Sequence, residues 1–130
     1  MKTLILIAGF ILSVTAIANE SGAPTLKSTM SDMAATLKKI SAQSQDASKN
    51  SSSIALTEQF IKSVQQAREL IPSTANDQTS QEQYVAMIDK VLENANQLKT
   101  AFQNNENTKA IGILNVLVQN KKDGHSQFRN

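Results

Sequence analysis

The side chain best suited to chemistry is the single histidine, His125, because a neutral imidazole is the commonest protein ligand for a transition metal. Near the other end of the chain, Met30 offers a thioether, a soft donor. An imidazole and a thioether on opposite sides of haem iron fill both axial positions, and the soft sulfur favours the ferrous state, which raises the reduction potential. Such a pair serves electron transfer, and it leaves oxygen or peroxide no open coordination site. Each residue also has a plainer reading. His125 can be a half-exposed ring at a frayed helix end, bonded to a carbonyl, and Met30 an ordinary filler of an aliphatic core.

Other chemistries find little support. The chain has no cysteine, which excludes thiol catalysis, iron–sulfur clusters and thioether-attached haem, so any haem b is held without a covalent link. There is no second histidine to relay protons, and the Glu-x-x-His pairs of a di-iron carboxylate bundle are missing. No glycine-rich phosphate loop follows a strand, and the serine-rich stretch 41–53 reads as a helix end plus a loop, not as a nucleophile. The residues point to a protein that is not an enzyme.

Four helical segments must position His125 and Met30. The first opens at Pro24, whose fixed φ suits a first helical position, and its apolar residues Leu26, Met30, Met33, Leu37 and Ile40 alternate spacings of four and three. A second seam runs through Leu56 (or Ile54), Phe60, Val64, Ala67 and Ile71, and stops at Pro72. Thr79 and Glu82 have the form of a capping box opening a third helix with Tyr84, Ile88, Val91, Ala95, Leu98 and Phe102 on one face. After the turn-prone residues 103–107, Ala110, Leu114, Leu117, Lys121, His125 and Phe128 keep the same rhythm, which puts His125 on the inward face of the fourth helix. Short loops make consecutive helices antiparallel, so the expected fold is an all-α, up-down-up-down four-helix bundle with crossings near 20°. In that topology Met30, about two turns from the start of the first helix, and His125, just over a turn from the end of the fourth, can face each other at roughly one level.

These residues resemble a known family, the soluble periplasmic cytochrome b562 group. The likeness covers nearly all of the chain beyond residue 18. It is strongest in Leu26-x-x-x-Met30-x-x-Met33-x-x-x-Leu37-x-x-Ile40, similar to the family's first helix, and in His125-Ser126-Gln127-Phe128-Arg129, similar to its closing His-x-x-aromatic-Arg. The resemblance implies one non-covalent haem b with Met30 and His125 as its axial ligands. Tyr84 and Ile88 fall where the family places pocket aromatics, so only part of that aromatic wall is kept. Gly124 also departs from the family, which has a larger residue there; it either loosens the last helical turn or lets a flat ring approach the backbone. Lys121 and Arg129 are either solvated charges or partners for a haem propionate.

The remaining expectations concern context. Lys2, the apolar run 4–12 and the small residues Ala16-Ile17-Ala18 have the form of a secretory signal over residues 1–18, leaving a bundle over 19–130 and a periplasmic location. No later run is long enough to insert in a membrane. Without Lys2 the chain carries 12 basic and 11 acidic side chains with the signs mixed along its length, which disfavours nucleic acid and shows no one-signed patch for a redox partner. A monomer exchanging electrons with an unnamed partner protein is expected. The competing reading is a haem-free periplasmic bundle acting as a scaffold or stress-related binding module.

Overall fold

The computed structural model describes residues 23–128. The expected signal over 1–18 and Arg129 lie outside the described residues. Four α-helices follow in order, α1 (Leu26–Gln43), α2 (Asn50–Glu69), α3 (Gln78–Gln103) and α4 (Asn107–Phe128), with a 3-10 turn Ala47–Lys49 before α2 and no strand among the described residues.

Local chemistry sets the boundaries. The first helix opens two residues later than Pro24, because Thr25 forms a reciprocal capping box with Ser28: each side-chain oxygen accepts from the other residue's backbone N–H at 3.0 Å. The third opens at Asp77, not Thr79. Asp77 is extended and its carboxylate accepts from the Ser80 N–H at 2.7 Å, taking one of the N–H groups a helix start leaves unpaired. Residues 51–53 are helical instead of loop, since Asp46 caps the 3-10 turn through the Ser48 N–H and the chain runs from that turn straight into α2. Pro72 ends α2 as expected, and Asn105, at φ 57°, makes the left-handed turn between α3 and α4.

Cross-helix bonds fix the register. Early α1 meets late α2 where Gln66 Nε2 donates to Thr29 Oγ1 at 2.9 Å, and late α1 meets early α2 where Gln43 Nε2 donates to Ser53 Oγ at 3.0 Å. Late α2 meets early α3 through Tyr84 Oη to the Ala67 carbonyl at 2.6 Å, and early α2 meets late α3 through the Lys99–Glu58 ion pair at 3.0 Å. The end of α4 returns to the start of α3, where Gln127 Nε2 donates to Gln83 Oε1. The helices therefore alternate up and down around one core.

All six expected core residues of α3 are buried, together with Leu37, Ile40, Phe60, Val64, Ala110, Leu114 and Leu117. Ile71 leaves the second seam and is 40% exposed, beyond the helix that would have carried it inward. The α1–α2 seam holds buried hydroxyls that a hydrophobic pattern passes over, Thr29, Thr36, Ser53 and Thr57. Thr36 and Thr57 donate to the carbonyls four residues back, Asp32 and Ser53, so their burial leaves no hydroxyl proton unpaired.

Candidate functional site

Three of the four neighbouring helix pairs share long packed seams; α1 and α4 touch only sparsely. Their direct hydrogen bond is at one end of the bundle, where Asn107 Nδ2 donates to the Ser44 carbonyl at 2.7 Å within a cluster that includes the buried Asn50. Met30 and His125 lie toward the opposite end of this sparsely packed pair.

A chain of contacts establishes that common end. Thr29, beside Met30, is bonded to Gln66; Ala67, beside Gln66, accepts from Tyr84; and the Tyr84 ring meets Phe128 edge-on, with centroids 5.4 Å apart and planes at 85°. Leu26, Met30 and Phe128 pack against the same core. Tyr84 is 1% exposed, and its burial pushes the phenol up to about 12.

Helical periodicity gives the direction of each side chain. On α1, Thr29 and Gln43 bond to α2, and Thr36 keeps the same seven-residue spacing; the positions one residue further on, Met30, Leu37 and Ser44, turn about 100° toward α4. On α4, Asn107 marks the edge facing α1, and His125 stands eighteen residues beyond it, five full turns, on the same edge. Counted from the Ser44–Asn107 bond at ~1.5 Å per residue, Met30 and His125 lie within about one turn of each other in height. Both residues therefore stand toward one end of the sparsely packed α1–α4 seam.

His125 does not lie on the buried face. It is exposed, and the buried position is its neighbour Gly124. A Cβ at residue 124 would come within 2.8 Å of Met87 Sδ and Cε, so the space a side chain would take is filled by the Met87 thioether from α3. Gly124 therefore seats the Met87 thioether, and the helix runs on past it to Phe128 without loosening its last turn. Lys121, one turn before His125, is exposed, and Lys121, Lys122, His125 and Ser126 line one open hollow.

The donor set fits a haem iron. A partly buried thioether, packed against the core, and a solvent-reachable imidazole stand toward one end of the bundle. No group of three or more His, Cys, Asp or Glu that could hold a metal ion occurs among the described residues, so a metal bound by protein alone has no cluster to occupy there. No helix among the described residues is long and apolar enough to cross a membrane.

The family model described as Cytochrome b562 matches residues 25–129, a span that takes in all four helices. No curated protein and no solved structure matches the chain.

Proposed function

The chain belongs to the cytochrome b562 family, and from that premise we propose that it is a periplasmic b-type cytochrome whose haem sits between α1 and α4 with Met30 and His125 as axial ligands. Bound haem supplies single-electron exchange between ferrous and ferric iron. The protein's part is to hold the group and to set its potential. Met30 contributes the soft donor that favours the ferrous state; His125 contributes the imidazole; Tyr84 and Phe128 supply apolar wall at that end of the core. What supports the reading is that a thioether and an imidazole come, by helical rise, within about a turn of one height toward one end of the sparsely packed α1–α4 seam.

Haem titration of the protein without residues 1–18 tests the assignment. His125→Ala abolishes tight binding, whereas Met30→Ala weakens it and lowers the reduction potential, because a sixth ligand other than sulfur favours ferric iron. Unchanged haem affinity in His125→Ala contradicts the ligand assignment. The exposure of His125 favours one second reading, a haem-free bundle acting as a periplasmic binding module. That reading requires a colourless protein whose melting temperature haem leaves unmoved.

A further inference from the structure

Basic and acidic residues are interleaved along the chain, but the fold sorts them onto different sides. Helices α1 and α4 carry six basic and two acidic side chains, net +4, while α2 and α3 carry four basic and five acidic, net −1, with His125 counted neutral. The two ion pairs among the described residues, Arg68–Asp89 at 2.6 Å and Lys99–Glu58 at 3.0 Å, both join α2 to α3.

Four of the six lysines of α1 and α4 lie along the side where these two helices meet, whereas Lys109 lines a hollow on α3 with Asp89 and Glu93. Lys27 and Lys38, eleven residues and about three turns apart, share a strip of α1 just outside the Met30–Leu37 edge that faces α4. Lys121 and Lys122 bracket the edge of α4 that carries His125, and all three line the same hollow. The acids of these helices turn elsewhere. Asp32 and Asp123 are each two residues, about 160° of helical rotation, from Met30 and His125, and Asp123 accepts from Gln119. Val118 is eleven residues past Asn107 on the α1-facing edge and is 38% exposed, so an apolar spot lies among the cations.

We propose that this face is a docking surface for an electron-transfer protein with an acidic patch, the carboxylates of the partner meeting Lys27, Lys38, Lys121 and Lys122 around Val118. The proposal rests on the haem reading for its purpose, because the face lies along the sparsely packed α1–α4 seam. Four exposed lysines outnumber the two propionates that a haem b brings, so the face stays positive when the site is filled. Charges of this kind steer an oppositely charged partner and raise its association rate by about tenfold or more at low salt, an effect lost once the Debye length shrinks below ~10 Å. An apolar centre with a charged rim is also the usual build of a transient interface.

The test uses flavodoxin, an acidic single-electron carrier, as the probe. In stopped-flow reduction of the haem-loaded protein by reduced flavodoxin, the second-order rate falls about tenfold between 10 and 200 mM salt. Lys27→Glu with Lys38→Glu lowers the low-salt rate by about tenfold and flattens the salt dependence, while the haem spectrum stays that of the parent. Lys62→Glu with Lys90→Glu, the same change of charge on α2 and α3, leaves the rate within about threefold. Equal loss in the two double variants, or a rate indifferent to salt, overturns the proposal. A 15N NMR titration with flavodoxin, run on the haem-free and haem-loaded protein, separates the two claims. Shifts gathered at the four lysines support the surface even where haem fails to bind, whereas shifts centred on α2 and α3, or none, overturn it even where haem binds well. Tighter association with phosphatidylglycerol vesicles than with flavodoxin overturns it in favour of a lipid surface.

Discussion

Gly124 and His125 are adjacent in the chain and face different helices. From Leu117, a step of seven residues returns to within about 20° of the same direction, whereas steps of four and eight advance by about 40° and 80°. Gly124 therefore stays on the buried stripe while Lys121 and His125 drift toward α1. The sequence pattern could not show this, because glycine has no side chain to register as apolar; the signal that was available is the seven-residue step from Leu117 to Gly124. The seat it forms for Met87 is testable. Gly124→Leu makes Met87 Sδ and Cε give way, so in chemical denaturation its effect is coupled to that of Met87→Ala by about 0.5 kcal/mol or more. Strict additivity of the two changes contradicts the contact.

Tyr84 is the only tyrosine in the chain, so its titration can be read without interference. Burial holds the phenol protonated up to about 12, against an ordinary value of 10.0. The folded form thus keeps its proton where the unfolded chain loses it. The resulting stability is whole below pH 10 and disappears as pH rises toward 12, a loss of roughly 2–3 kcal/mol. Tyrosinate absorbance should appear together with unfolding, and Tyr84→Phe should remove that alkaline loss along with the bond to the Ala67 carbonyl. Tyrosinate forming in an intact bundle near pH 10 contradicts the burial argument.

At the scale of the helices, the number, order and faces of the elements were legible because their apolar residues follow a three-four rhythm. Their starts were less so, since a start depends on which side chain reaches which N–H. Pro24 and Thr79 look like openings, but Thr25 and Asp77 make the bonds. The hydrogen bonds from Ser80 hold the Asp77 carboxyl below its ordinary value, so the cap is in force above the usual carboxylate range and weakens as pH falls through it. Asp77→Ala is expected to lower the melting temperature by a few degrees at neutral pH, with Thr79→Ala close to the parent. The reverse order would place the start of α3 at Thr79. The threonines between α1 and α2 escaped the pattern for a related reason: they satisfy their hydroxyls within their own helices or, at Thr29, from Gln66, and so can be buried without apolar character.

For the whole molecule, the arrangement of Met30 and His125 follows from topology more than from either residue. An up-down-up-down path returns the fourth helix to the side of the first, and the Ser44–Asn107 bond pins the two at one end. Met30 and His125 stand toward the other end of that sparsely packed pair. The shared end and rough level of the pair were readable from segment lengths alone. The outward turn of His125 and the gathering of lysines on one face were not, since both depend on how far each helix is rotated about its axis. The most direct test is the absorption spectrum of the reduced protein after reconstitution with haem. Iron held by Met30 and His125 gives a six-coordinate, low-spin ferrous spectrum with sharp α and β bands, lost in Met30→Ala. A five-coordinate spectrum from the parent protein, or haem that passes through a desalting column unbound, contradicts it.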